Sequence, residues 1–158
     1  DPTTGNDTAA IQDAAGNDAA SFTNRYVINQ TADNVPPLFS KAEVNGNKLT
    51  LTYTDASLLD ATNIPVTGRF TVGGTTATVS SVAVSAANKT VTLTLSAAVK
   101  STDTITVSYT DPTTGNDVAA IQDANGYDAV SLTSATVTNL TPVEGVKAPW
   151  TLLTKTSK

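Results

Sequence analysis

The chain has 158 residues, a net charge of −5 and no Cys, His or Met. The absence of Cys excludes disulfides and thiolate metal sites, and the absence of His removes the commonest general base and transition-metal ligand. The negative charge argues against nucleic acid and anionic membranes as partners. Thr makes up about a fifth of the chain, a bias toward strands, and the few aromatic residues imply a thin, aliphatic core. Neither a long apolar stretch nor a signal-peptide pattern appears, so we expect a segment that starts inside a longer protein and does not insert into a membrane.

In chain order, residues 1–31 read as turn-rich and acidic, ending in a short strand at 24–29. Residues 32–37 (ADNVPP) form a linker in which Pro36 and Pro37 stiffen the joint. From 38 the pattern becomes period two. Weak strands are expected at 39–44, 66–72, 76–84 and 134–139. Clear ones are expected at 48–53, 90–95 and 104–109, with Leu49, Leu51, Val91, Leu93, Ile105 and Val107 facing inward. Asn45-Gly46 and the Asn88 neighbourhood mark turns. A single helical turn is plausible only at 119–124. Seven short alternating strands with one long connection predict an all-β, antiparallel immunoglobulin-like β-sandwich of Greek-key type.

Internal self-similarity dominates the organisation. Residues 1–31 (DPTTGNDTAAIQDAAGNDAASFTNRYVINQT) and 111–141 (DPTTGNDVAAIQDANGYDAVSLTSATVTNLT) are identical at about two-thirds of positions with an offset of 110. That offset is about one sandwich domain. We therefore expect residues 1–31 to be the C-terminal part of a preceding repeat, 38–141 a complete one, and 142–158 an extension or the start of another segment. The runs NGNKLTLTY (45–53), KTVTLTL (89–95) and DTITVSY (103–109) join the DPTTGND and AIQDA motifs. Together they resemble the bacterial immunoglobulin-like repeat of SwmB-type giant cell-surface proteins. The resemblance covers nearly all of 38–141 and again 1–31. It implies an extracellular, bacterial cell-surface location and tandem architecture.

Eight of the fourteen acids fall in the two copies, Asp1, Asp7, Asp13 and Asp18, then Asp111, Asp117, Asp123 and Asp128. Crowded carboxylates repel, and with Asn carbonyls such as that of Asn116 they are the hard oxygen ligands that Ca²⁺ takes. Asp7, Asp13, Asp18, Asp117, Asp123, Asp128 and Asn116 are thus candidate calcium ligands. The competing reading is a solvated loop whose Asp and Asn make turns around Gly. Nucleophile elbows, phosphate loops and His-based triads are absent from the sequence, so no enzymatic role is expected. Asp-Pro at 1–2 and 111–112 reads as a turn after a strand and not as a self-cleavage site. Lys41, Glu43 and Asn139 could in principle form an intramolecular amide, against the simpler reading of solvent-facing side chains. The Asn-x-Thr patterns at Asn6, Asn29, Asn88 and Asn139 read as inert.

The leading expectation is a structural or adhesive module, a spacer or adhesin stalk whose partners are neighbouring repeats of the same protein. The alternative is a subunit of an extracellular filament or surface layer assembled by strand exchange. Under it, Tyr26, Val27 and Ile28 lie on a strand that pairs outside 38–141. A carbohydrate-binding module ranks third, since only Trp150 and the Tyr26 and Tyr127 regions could supply an aromatic platform.

Overall fold

The computed structural model describes residues 5–6, 8–28 and 31–145. The chain divides into two compact units, Asp1–Ala32 and Asp33–Lys158. The second unit is all-β, with strands β1 (Leu38–Asn45), β2 (Lys48–Thr54), β3 (Phe70–Gly73), β4 (Val79–Ser85), β5 (Thr90–Leu95), β6 (Thr106–Tyr109) and β7 (Leu132–Asn139). A 3-10 turn over Thr67–Arg69 leads into β3. Residues 119–124 form turns and isolated bridges, not the helical turn that the Ala-rich run suggested.

Hydrogen bonding runs through all seven strands in the order β3-β6-β7-β1-β2-β5-β4. The pivot is β7. Its first half pairs antiparallel with β6 (Thr106 opposite Thr136), and its second half pairs with β1 (Ala42 opposite Val137). The β1–β7 pairing is parallel, so the sheet is mixed where the sequence pattern suggested a wholly antiparallel one. Alternation reports which face a side chain takes but not the direction of a neighbour, and these two strands share no hairpin to impose one. The outer strands β3 and β4 approach each other, so the sheet curls almost into a barrel.

The core follows the period-two phase. Leu49, Leu51 and Tyr53 of β2, Val91, Leu93 and Leu95 of β5, and Ile105, Val107 and Tyr109 at β6 are all buried. The opposite faces of β2 and β5 carry Thr rungs, Thr50 against Thr92 and Thr52 against Thr90. Strand β1 breaks phase. A bulge between Phe39 and Lys41 turns Phe39 onto the same face as Ala42 and Val44, because an extra residue reverses the alternation. Phe39 then meets Tyr53 edge-on at 5.9 Å. The β1–β2 hairpin turns at Gly46, whose φ of 60° is the left-handed conformation Gly supplies.

Lys41 and Asn139, the two ends of the conceivable amide cross-link, are each engaged elsewhere. Lys41 pairs with Glu43 at 2.9 Å. The Asn139 Nδ2 donates instead to the carbonyls of Lys100 (2.7 Å) and Asp103 (3.0 Å).

Candidate metal centre

Residues 110–131 connect β6 to β7 and fold as a compact loop. Its neck is closed where the Asp111 N–H donates to Ser131 Oγ (2.9 Å). Its middle is plugged into the core by Ala120, Ile121 and Ala129, all buried. The Ile121 N–H donates to the Tyr109 hydroxyl at 2.8 Å. Burial is the main reason that hydroxyl titrates well above the ordinary tyrosine range. Tyr109→Phe leaves a buried N–H without an acceptor, which costs about 1–3 kcal/mol. Urea unfolding of the variant checks this, and an unchanged midpoint would show that the bond is dispensable. A second segment braces the loop from outside: Asp60 N–H to the Gln122 carbonyl (2.9 Å), Ala124 N–H to the Leu58 carbonyl (2.8 Å) and Gln122 Nε2 to Asp60 Oδ2 (3.0 Å). Burial pushes the Asp60 carboxyl upward, but bonds from the Asn63 side chain, the Thr62 and Asn63 N–H groups and Gln122 Nε2 together outweigh it and hold it below the usual value.

The four aspartates of the loop, Asp111, Asp117, Asp123 and Asp128, are divided between two groups of three carboxylates. Asp111, Asp117 and Asp128 each bring one carboxylate oxygen within 4.8 Å of the others, and Asp33, Asp55 and Asp123 do the same. Asp117, Asp123 and Asp128, all candidate ligands from the sequence, do not share one group. Asp123 belongs to a turn: its Oδ1 accepts the N–H groups of Asn125 (2.9 Å) and Tyr127 (2.8 Å), and its Oδ2 accepts from Ser57 Oγ (3.2 Å). Asp33 and Asp55, distant in sequence, had no local signal. Asp111 stood among the repeated acids, but its position before Pro112 read as a turn start.

Within the first group, Asp128 is 7 % exposed. Its Oδ2 accepts the Asp117 N–H at 2.7 Å, while its Oδ1 is buried and accepts nothing among the described residues. Asp111 Oδ1 is likewise buried and without a donor. Asp117 Oδ1 accepts from Ala119 N–H (2.9 Å) and its Oδ2 from Thr113 Oγ1 (3.1 Å). The Asn116 side-chain oxygen accepts the Asp128 N–H at 3.4 Å. Burial, then the charge of Asp117, raises the Asp111 carboxyl above its ordinary value, with Arg69 opposing in part. Burial also raises Asp128. The bond from Asp117 N–H works against it, and the charges of Asp117, Asp111 and Asp123 add to it. Two full charges at this spacing repel by about 3 kcal/mol at an effective dielectric near 20.

The first copy repeats the backbone bonds of the turn. Asp13 N–H to the Asn17 carbonyl (3.1 Å) matches Asp123 N–H to the Tyr127 carbonyl (3.0 Å). Ala19 N–H to the Ile11 carbonyl (2.8 Å) matches Ala129 N–H to the Ile121 carbonyl (2.7 Å). Gly16 and Gly126 share φ near 84°, and Asn24 and Ser134 share φ near 50°. The Asp13 carboxylate closes its own turn, held below its usual pKa first by the Asn17 side chain. Asp18 Oδ1 accepts from Gln12 Nε2 (2.7 Å), and its N–H donates to Asn6 Oδ1 (3.3 Å) as Asp128 does to Asn116. Asp7 lies outside the described residues. Tyr26, Val27 and Ile28 are exposed and form no strand with the described residues. Tyr127 is half-buried, and Trp150 lies outside the described residues.

An all-β unit whose long loop recurs at a fixed offset is the build of a tandem-repeat protein. A family model described as "Putative flagellar system-associated repeat", the SWM repeat, matches residues 32–114, and the chain belongs to that family. No curated protein and no solved structure matches the chain. Among the described residues, no helix is long and apolar enough to cross a membrane.

Proposed function

We propose that this chain is a structural module of a large secreted bacterial surface protein, in which tandem units of about 110 residues act as a spacer or adhesin stalk. The observation that carries the reading is the recurrence of one loop geometry at that offset. The family description, with its flagellar-system association, agrees with a repeat deployed outside the cell. We read the unit as an immunoglobulin-like sandwich. Strands β1, β2, β5 and β4 make one hydrogen-bonded group, β3 and β6 another, and β7 passes between them. Antibodies raised against residues 33–145 are expected to label intact cells. Labelling that needs lysis would overturn the surface location.

The alternative we keep is a filament subunit assembled by strand exchange. Ile121 and Val137 are 1 % and 5 % exposed, whereas their counterparts Ile11 and Val27 are 74 % and 91 % exposed. Under this reading, the packing that β1–β6 supply in the complete unit would come, for the first copy, from outside residues 38–141. Deleting residues 1–31 is then expected to leave a folded monomer that no longer assembles, as read by sedimentation velocity and circular dichroism. Unfolding, or assembly identical to that of the full chain, would sink this reading.

A further inference from the structure

We propose that Asp111, Asp117 and Asp128 form a calcium site that clamps the β6–β7 connection at its start, middle and end. Three carboxylate oxygens lie within 4.8 Å of one another. Oxygens bound to one Ca²⁺ at ~2.3–2.6 Å are at most about 5 Å apart, so all three fit a single coordination sphere. Acidic clusters at a surface are common and solvated. This one differs in that Asp128 is 7 % exposed and its Oδ1 is buried without a donor. Asp111 Oδ1 is in the same condition. A buried carboxylate oxygen normally has a partner, and the described protein offers none. A cation held by the three carboxylates answers both requirements at once, because it gives the under-bonded carboxylates a partner and cancels their mutual repulsion.

The donor set selects the ion. All three ligands are hard oxygens, and the chain has neither His nor Cys, which disfavours zinc and copper. A loop scaffold with water completing the shell suits the flexible six- to eight-fold coordination of calcium better than the strict octahedron of magnesium. The site would act on the loop and not on a substrate. Asp111 follows β6 and Asp128 precedes β7, so binding would join the two ends of the connection beside the Asp111–Ser131 neck.

The test uses the full 158-residue chain, stripped with chelator and titrated with CaCl₂ to 10 mM. The melting temperature is expected to rise by about 5–10 °C at a hundredfold excess over the dissociation constant, with a smaller rise in MgCl₂. In Asp128→Asn the calcium-free chain should melt no lower than the unsubstituted one, since a repelling charge is removed, and the calcium response should disappear. No response in the unsubstituted chain overturns the proposal. So does a full response retained in Asp128→Asn, which would move the ion to Asp33, Asp55 and Asp123 or to the first copy. If Asp128→Asn does not fold, Asp111→Asn is judged by the same criteria. Amide shifts in the unsubstituted chain give an independent reading: calcium-induced changes centred on Asp111, Asp117 and Asp128 support the site, and changes centred elsewhere overturn it.

Discussion

Leu93→Ala is expected to destabilise the second unit by about 2–5 kcal/mol, the range for removing a fully buried leucine side chain. Leu93 sits mid-strand on β5, opposite Leu49 of β2 and Val82 of β4, and has no exposed surface. A thin aliphatic core has little means of closing the space left behind. Few large aromatic side chains are present to shift into it, and the paired strands on both sides resist movement. Leu58→Ala is the control. Leu58 is half exposed, and its loss should stay within about 0.5 kcal/mol. Urea midpoints of the two variants decide the matter. Equal losses would show that the period-two face of β5 does not form the core.

Gly74→Ala is expected to cost about 2–5 kcal/mol, combining left-handed strain with overpacking. Gly74 follows β3 with φ at +80°, and an added Cβ would lie 1.8 Å from the Thr104 carbonyl oxygen and 2.9 Å from its carbon. Both obstacles are backbone, so no side chain can rotate out of the way. The Thr104–Ile105 backbone leads directly into β6, so relief would disturb the strand that carries Val107 and Tyr109. Gly126→Ala separates the two contributions. Its φ is +85° but nothing lies within 4 Å of the added Cβ, so only the strain of about 1–2 kcal/mol remains. Similar losses at the two positions in thermal melts would show that the close approach to Thr104 is unimportant.

Much of this protein was determined by local sequence. The strands β2, β5 and β6 were legible because a two-residue period sends every second side chain to one face, and a one-residue slip would expose the whole set. The repeated loop was legible because a shared sequence at one offset makes the same backbone turn, as the turns closed by Asp13 and Asp123 demonstrate. Tertiary structure decided the rest. The bulge at Phe39, the parallel β1–β7 pairing and the curl that brings β3 towards β4 depend on which strands meet, and alternation carries no such information. The separation of the aspartates was decided the same way. Asp123 and Asp128 are five residues apart, yet one closes a turn and joins Asp33 and Asp55, while the other joins Asp111 and Asp117. Carboxylate chemistry is written in the residue type, but which carboxylates share a space is set by the path of the backbone, and that path is fixed by contacts distant in sequence.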